Sequence, residues 1–205
     1  EPYLKQKPNP AIILGWNPFL YVYNWSNGKG KAWDKIVKNI GVEPVVYDSD
    51  MVDASIENMM DRLTYLGYYG SEIESVINVK KKNVTVAYNI TLGKRFPIKD
   101  IEIILPSEGT FADDFLADMS AMTVKVGDFL SEDILENETV RASASLRNMG
   151  YYEFSKNNFF FEADTLSCPD SAILKMTVNG YTRNETPDRT RTISRFTFNE
   201  VNISY

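Results

Sequence analysis

Histidine is absent from this chain of 205 residues, and cysteine occurs only once, at Cys168. Histidine is the commonest general base and a frequent metal ligand near neutral pH. Its absence excludes Ser-His-Asp, Cys-His and His-zinc sites built from this chain alone. A single cysteine cannot form a disulfide within the chain. We therefore expect neither a metal site nor a cofactor here.

Long apolar runs and clustered cations are also missing. A helix that crosses a bilayer needs about 20 apolar residues, and the most apolar stretch, 11–25, is interrupted by Asn17 and Pro18. Acidic residues outnumber basic ones from Phe96 onward. That balance argues against a nucleic-acid partner, because phosphate binding needs clustered cations. The chain begins at Glu1 without a targeting segment, so we interpret it as part of a longer protein.

Paired carboxylates are the remaining candidates for catalysis. The closest pairs are Asp113-Asp114, Glu132-Asp133 and Asp48-x-Asp50. These pairs lie at predicted helix starts or on a solvent-facing side of a helix, where the helix dipole and solvation already explain negative charge. We predict that the chain is not an enzyme.

The sequence does contain a repeated signature, Leu-x-x-Leu/Met-Gly-Tyr-Tyr, which indicates one structural module in tandem. Gly67 and Gly150 are predicted to end a helix, because glycine adopts the left-handed conformation without a steric penalty. The tyrosines are predicted to anchor the strand that follows rather than to touch a ligand. The structural residues of the two copies are Leu63, Gly67, Tyr68 and Tyr69, and Leu146, Gly150, Tyr151 and Tyr152.

A second repeat marks the opening strand of a module. Phe96, Ile98, Ile101, Ile103 and Leu105 recur in the same register as Phe196, Phe198, Val201, Ile203 and Tyr205. The apolar alternation shifts by one residue within each run, as in a strand that contains a bulge. The second copy is therefore predicted to open a third module.

Between these strands the sequence predicts one complete module, 95–182, with the order strand, helix, helix, strand, strand. The second helix is predicted to begin at Ser131, whose hydroxyl can cap it. The two strands that follow it are predicted at 151–162 and 172–178. The remaining residues, 183–205, are a predicted linker and the first strand of the third module.

Residues 1–94 predict the same module without its opening strand. We expect its first helix at 3–6, a second helix that is capped by Ser49 or Asp50, and a hairpin of 72–79 with 84–92. The fold class is therefore α+β, with a three-stranded mixed sheet backed by two helices in each complete module.

An aromatic-rich insertion, about 8–44, is the least regular part of this first module, and a short helix is predicted within it at 32–39. Two interpretations of its aromatic residues stay open: they pack onto their own module, or they form a docking surface or membrane-proximal anchor. The residues of this candidate docking surface are Trp16, Phe19, Tyr21, Tyr23 and Trp25.

Tandem β-α-α-β-β modules with this signature resemble POTRA domains, the repeats that precede the membrane barrel of BamA/TamA-type outer-membrane assembly factors. The second module carries the matching residues Gly127-Asp128, Arg141, Leu146-Arg147-Asn148-x-Gly150-Tyr151-Tyr152-x-Phe154 and Asp164. The opening Pro2-Tyr3-Leu4-Lys5-Gln6-Lys7-Pro8-Asn9, with Leu20-Tyr21-x-Tyr23-Asn24, resembles the Bacteroidetes TamA-like lipoproteins called TamL.

This resemblance implies a periplasmic, non-catalytic scaffold of an outer-membrane protein. The implied partners are unfolded or nascent outer-membrane polypeptides, a TamB-like inner-membrane protein and the C-terminal membrane barrel of the same full-length chain. The alternative is a two-partner secretion transporter or a cell-division envelope protein that uses the same module.

A sheet edge with unpaired backbone groups can accept a strand from another polypeptide, so we expect partners to bind by strand addition. In the family fold the second strand of a module commonly lies at such an edge. The candidate edge residues are Ile73, Glu74, Ser75, Val76 and Ile77, and Phe159, Phe160 and Phe161. A restricted hinge is predicted at Gly93, Lys94 and Arg95, and a looser hinge or a hairpin arm at 182–192.

Overall fold

The computed structural model describes residues 2–9, 18–23, 31–41, 43–81, 83–106, 110–182 and 191–197. Two compact units divide the chain. The first comprises Glu1–Arg62 and Glu72–Thr91, and the second comprises Leu63–Ser71 and Leu92–Tyr205. The first Gly-Tyr-Tyr signature therefore packs with the second unit.

The first unit contains three helices and a hairpin. The helices are α1 (Pro18–Tyr23), α2 (Lys31–Ile40) and α3 (Ser49–Tyr65), of which the last three residues pack with the second unit. The hairpin pairs β1 (Glu72–Lys80) with β2 (Asn83–Thr91) in antiparallel register. Helix α2 extends the predicted 32–39 by one residue at each end, and the hairpin confirms the predicted strands to within one residue.

The helix predicted at 3–6 is wrong, since these residues form turns and irregular structure. Their backbone and their neighbours are held by hydrogen bonds to distant residues instead. The Lys5 N–H donates to Ser55 Oγ at 2.9 Å, and the Gln6 side-chain amide donates to the Val46 carbonyl. Residues 3–6 lie between Pro2 and Pro8, and this segment is too short to nucleate a helix by itself.

Helix α3 is capped by Asp48, which corrects the prediction of Ser49 or Asp50. The Asp50 N–H donates to Asp48 Oδ1 at 3.0 Å, and the Val52 N–H donates to the Asp48 carbonyl at 3.3 Å. An N-cap side chain accepts from the second or third helical N–H, and Asp48 stands two residues before Asp50.

The second unit has the predicted order strand, helix, helix, strand, strand. Its elements are β3 (Ile98–Ile104), α4 (Thr110–Asp118), α5 (Glu132–Asn148), β4 (Phe159–Asp164) and β5 (Ala172–Val178). The strand order is β3-β5-β4, with β3 parallel and β4 antiparallel to β5, so the sheet is mixed. The α+β fold class is confirmed, and a register shift between Ile98 and Asp100 confirms the predicted bulge.

The strand predicted at 151–162 begins only at Phe159. Tyr151 and Phe154 are both buried, a spacing of three that an alternating strand does not give, and the Phe154 N–H donates to the Tyr151 carbonyl at 3.0 Å. A short 3₁₀ turn, Lys156–Asn158, follows and is closed by reciprocal bonds between Ser155 and Asn158. Strand β5 has the predicted bounds, and Ser131 caps α5 as predicted, accepting from the Ile134 N–H at 3.4 Å.

The core of the second unit lies between the two helices and the sheet. Fully burying a large apolar side chain contributes about 1.5–3 kcal/mol. The main cluster draws on both helices and on β4, β5 and the loop between α5 and β4, and its buried members are Phe111, Phe115, Ala142, Leu146, Tyr151, Phe154, Phe159, Met176, Val178 and Ile193.

Past β5 the described residues include a short pairing of β6 (Tyr181–Thr182) with β7 (Arg191–Thr192). This pairing has the antiparallel form of the predicted hairpin arm. The strand predicted to open a third module is described only as far as Thr197, so residues 198–205 lie outside the described part of the chain.

Candidate partner-binding surfaces

Strand β4 lies at the outer edge of its sheet, and no other described strand pairs with its second side. The Asn179 N–H donates to the Asn158 carbonyl at 2.8 Å, directly before the strand begins. Bonded and non-bonded pairs alternate along an antiparallel ladder. Phe161 and Ala163 therefore direct their backbone N–H and C=O groups away from β5, toward the free edge. The Phe159 carbonyl points the same way, but the Phe159 N–H donates to the Lys156 carbonyl in the preceding turn.

The side chains of β4 alternate between the core and solvent. Phe159 and Phe161 face the core, with stacked rings whose centroids lie 6.2 Å apart. Phe160 lies on the opposite face and is 53% exposed. Glu162 shares that face and pairs with Lys175 on β5, with 3.4 Å between Oε2 and Nζ. Of the three predicted edge phenylalanines, Phe160 therefore has the most accessible ring.

The β1–β2 hairpin has one apolar and one polar face. Directly opposed residues share a face of an antiparallel pair. The apolar face pairs Ile73 with Ile90, Ser75 with Tyr88, Ile77 with Val86 and Val79 with Val84. Ile77, Val79, Val84 and Ile90 are exposed. The predicted edge residues Glu74 and Val76 lie on the other face, opposite Asn89 and Ala87.

Most of the candidate docking surface lies beyond what the structure describes. Trp16 and Trp25 fall outside the described residues, as does the side chain of Tyr21. Phe19 is exposed and Tyr23 is half-buried. The Tyr23 backbone approaches Gly41 so closely that a Cβ there would lie 2.6 Å from the Tyr23 Cα. Packing and docking therefore both stay open as interpretations of the insertion.

The three predicted hinge residues are held by the first signature. Lys94 and Tyr69 exchange two backbone hydrogen bonds of 3.0 and 2.9 Å. Gly93 lies against the Tyr69 carbonyl oxygen and has no room for a side chain. The Arg95 guanidinium lies over the rings of Tyr68 and Phe129, at 5.0 and 4.2 Å from their centroids. This segment is therefore packed on both sides.

Both signature glycines end their helices as predicted. Gly67 and Gly150 have φ of +84° and +105°. The Tyr68 N–H donates to the Leu63 carbonyl at 2.9 Å, and the Tyr151 N–H donates to the Leu146 carbonyl at 3.0 Å. These six-to-one bonds are the Schellman arrangement, which satisfies carbonyls that the helix end would leave unpaired.

A charged cluster in the second unit was not recognised from sequence. Arg141 on α5 bridges Asp118 at 2.8 Å and Glu138 at 2.7 Å, and the two carboxylate side chains are only 6% and 3% exposed. Glu138 also accepts from the Thr123 N–H at 2.7 Å, and Asp118 accepts from Ser145 Oγ at 2.6 Å. The i, i+3 spacing of Glu138 and Arg141 was the available signal, but it predicts only a surface pair.

The three groups of the charged cluster shift one another's pKa values. Burial is the largest single influence on the pKa of Asp118 and of Glu138, and it raises both. It is outweighed by the combined effect of the hydrogen bonds and charge of Arg141 and the hydrogen bonds from Ser145 and Thr123 respectively. Both carboxyls consequently have a pKa below the ordinary value. The hydrogen bonds to Glu138 and Asp118 raise the pKa of Arg141 in turn. With every charge paired, the cluster stabilises the fold and offers no free acid or base.

Two kinds of site are missing from the described part of the chain. No group of three or more acidic or cysteine side chains there is placed to hold a metal ion. None of its helices has the length and apolar character that a membrane span requires.

Comparison with known proteins relates this chain to one domain family. Residues 32–93, from α2 to β2, match the POTRA family model, described as a surface antigen variable number repeat. The match spans a little under a third of the chain. No curated protein matches it.

Solved structures that align with this chain include parts of BamA and Omp85. POTRA domains 3–5 of Haemophilus influenzae BamA align over 67% of this chain and 53% of theirs, at 14% identity and a TM-score of 0.42. Haemophilus ducreyi BamA lacking POTRA domains 1–3 aligns over 69% of this chain and 25% of its own, at 18% identity and a TM-score of 0.38. The N-terminal domain of Omp85 from Thermosynechococcus elongatus aligns over 80% of this chain and 58% of its own, at 11% identity and a TM-score of 0.33. This chain thus covers between a quarter and three fifths of the length of these three solved chains.

Proposed function

We propose that this chain is the periplasmic part of an outer-membrane protein assembly or translocation factor, where it acts as a non-catalytic scaffold for polypeptides. The POTRA match at 32–93 supports this proposal. Within it, the opening motif favours the TamL type, with a TamB-like inner-membrane partner and a C-terminal barrel in the full-length protein. The observation that carries the proposal is the outer edge of β4, with which no strand of the described residues pairs.

Strand addition is the chemistry that such an edge supports. The outward N–H and C=O groups of Phe161 and Ala163, together with the Phe159 carbonyl, can bond an extended polypeptide whatever its side chains. Each such bond contributes about 0.5–1.5 kcal/mol net, and association itself costs several kcal/mol. Binding at this edge alone is therefore weak and reversible. A scaffold that passes clients onward needs that property.

The hairpin offers a second edge of different character. Its apolar face, which includes Ile73 and Ile77, lies beside the backbone edge of β1. Strands of outer-membrane barrels alternate apolar and polar residues. Such a strand, added next to β1, would extend the apolar face with its own apolar side chains, so this edge favours unfolded barrel segments over polar peptides.

Amide exchange with a peptide tests the proposal at β4. The probe is a peptide of about ten alternating apolar and polar residues, the length and pattern of a barrel strand. We expect NMR-detected exchange to slow at the Phe161 and Ala163 amides on binding. It should stay unchanged at Phe160, whose N–H faces β5, and at Phe159, whose N–H already donates to the Lys156 carbonyl. Protection elsewhere in the sheet, or at no amide, would contradict strand addition at this edge.

A proline variant separates edge binding from folding. Ala163 is exposed and its N–H points outward, so Ala163→Pro removes an edge donor while every bond to β5 remains. We expect this variant to fold and to lose the peptide-dependent protection. Ala163→Val keeps the N–H and is the matched control. Equal binding by both variants would refute the edge mechanism.

Crosslinking in cells tests the same edge in the full-length protein. A photoreactive residue at Phe160 is expected to capture outer-membrane polypeptides. The same residue at Thr177, which pairs with Phe160 from the central strand, is the control and is expected to capture less. Equal capture at the two positions would count against the edge.

A further inference from the structure

An Arg-Phe dipeptide follows each Gly-Tyr-Tyr signature and touches it. In the second unit the ring of Tyr69 lies 5.8 Å from that of Phe96, centroid to centroid, with 52° between the planes. The ring of Tyr152 lies 6.2 Å from that of Phe196, with 44° between the planes. The second tyrosine of each signature thus contacts the phenylalanine that opens the next predicted module, with nearly the same geometry.

The arginine of each dipeptide is held beside the first tyrosine. Arg95 lies directly over the ring of Tyr68. Arg195 reaches the carboxylate of Asp114, with 3.5 Å between Nη1 and Oδ2. The hydroxyl of Tyr151 donates to the same Oδ2 at 2.7 Å. A cation–π contact in the first copy is therefore replaced by a shared carboxylate in the second.

Each signature glycine leaves space for another part of the backbone. A Cβ on Gly150 would lie 2.5 Å from the Phe196 carbonyl oxygen, and the Phe196 N–H donates to the Gly150 carbonyl at 2.9 Å. A Cβ on Gly67 would overlap the Leu130 carbonyl oxygen. The Leu130 N–H donates to the Phe96 carbonyl at 2.8 Å, so this backbone is also bonded to the dipeptide.

We propose that each Gly-Tyr-Tyr signature is a socket for the Arg-Phe dipeptide that opens the following module. Gly150 admits the backbone of the dipeptide itself, and Gly67 admits the Leu130 backbone that is bonded to the dipeptide. The second tyrosine packs on the phenylalanine, and the first tyrosine lies beside the arginine's partner or under the arginine itself. The signature and the dipeptide are separated in sequence but form one contact site. This contact site occurs once for each copy of the signature.

The two sockets differ in how firmly they hold their dipeptide. Tyr69 and Phe96 are half-buried, and the paired backbone bonds between Tyr69 and Lys94 support them. Tyr152 and Phe196 are 48% and 43% exposed. The second socket is therefore the one that opens more readily, and its occupancy is measurable at the Phe196 amide.

Two glycine substitutions test the socket with a matched control. Gly150 and Gly127 have similar φ, +105° and +98°, so alanine strains the backbone at both positions. Only Gly150 faces another residue, because a Cβ on Gly127 meets nothing within 4 Å. We expect Gly150→Ala to accelerate hydrogen exchange at the Phe196 amide at least tenfold while the Leu174 amide in β5 stays protected. Gly127→Ala is expected to leave the Phe196 amide unchanged. Equal effects of the two variants at Phe196 would overturn the socket.

A double-mutant cycle tests the ring contact without backbone strain, and it decides the matter if Gly150→Ala fails to fold. An aromatic pair of this kind changes an equilibrium about three- to tenfold. We expect Tyr152→Ala to accelerate exchange of the residue 196 amide by about that factor more when Phe196 is present than in the Phe196→Ala background. Additive effects of the two substitutions would refute the contact and, with it, the socket.

Discussion

Replacing Arg141 by methionine provides the sharpest test of how the second unit is held together. Arg141 is the cation that serves two nearly inaccessible carboxylates, Asp118 and Glu138. Methionine retains much of the side-chain length but removes the charge and all five hydrogen bonds to these two residues. The variant therefore leaves two negative charges next to one another in a buried position.

The expected loss is a large fraction of the stability of a small domain. Removing one partner of a buried ion pair costs about 3–5 kcal/mol, whereas whole domains are stable by about 5–15 kcal/mol. The Arg141 side chain is 24% exposed, so water partly reaches the site and the lower end of that range applies. We expect Arg141→Met to lower the free energy of unfolding by about 3 kcal/mol at pH 7.

The pH dependence of this loss has a definite sign. In the native protein the pKa of Asp118 and of Glu138 is lowered, so their contribution is present above the unfolded-state pKa values and is lost as pH falls through the folded ones. Without Arg141, burial becomes the main influence and raises both pKa values above those of the unfolded chain. Protonation of Asp118 and Glu138 then removes the buried negative charges of the variant. The difference in free energy of unfolding between the native protein and the variant therefore shrinks between pH 7 and about pH 4.

Urea unfolding followed by NMR at the Leu174 and Met176 amides measures this deficit in the second unit. Tryptophan fluorescence is unsuitable, because all three tryptophans precede residue 34. Arg147→Met is the matched control on the same helix, where Arg147 is exposed and a change within about 0.5 kcal/mol is expected. Equal destabilisation by the two variants, or a deficit for Arg141→Met that grows as pH falls, would refute the reasoning.

Two further substitutions test the packing of the signature and its surroundings. Gly93→Ala places a methyl group against the Tyr69 carbonyl, so we expect a loss of about 1–3 kcal/mol in urea unfolding; an unchanged midpoint would show that the segment has room to move. Leu146→Ala removes a fully buried side chain and is expected to cost about 2–5 kcal/mol, whereas Val140→Ala on the exposed side of α5 is expected to cost under 1 kcal/mol. A similar cost for both would contradict the predicted apolar stripe of that helix.

The sequence predicted the second unit well where periodicity and local chemistry agree. The stripe that includes Thr139, Ala142 and Leu146 is buried, the Ser131 cap forms, and the left-handed glycines end both helices. Each of these features depends on residues within one or two helical turns. Periodicity also located the bulge in β3, because the shift in alternation is itself visible in the residue pattern.

The errors have a common physical cause, which is a distant partner. Lys5 and Gln6 are held by bonds to residues 50 and 40 positions away, and no local pattern reports them. The stretch before β4 looks like a strand because it is aromatic, yet Tyr151 and Phe154 turn inward together to meet Phe111. Arg141 was noted for its position in the module, but its partner Asp118 lies on another helix, so the pairing was invisible.

The same aromatic core connects the candidate edge with the candidate socket. Ring contacts run from Phe159 on β4 to Phe154 at 5.4 Å, on to Phe111 at 5.3 Å, and from there to Tyr151 at 5.3 Å. All four side chains are buried.

The first tyrosine of the second signature, Tyr151, thus belongs to the core, and its hydroxyl reaches the Asp114 carboxylate that meets Arg195. Tyr152, one residue later, is exposed, and its ring contacts the incoming Phe196. Two adjacent tyrosines can serve two roles because one is buried and the other is exposed: one fixes the module that carries the edge, and the other receives the segment that continues the chain. In the second copy this explains why both positions of the signature are aromatic although only Tyr151 is buried.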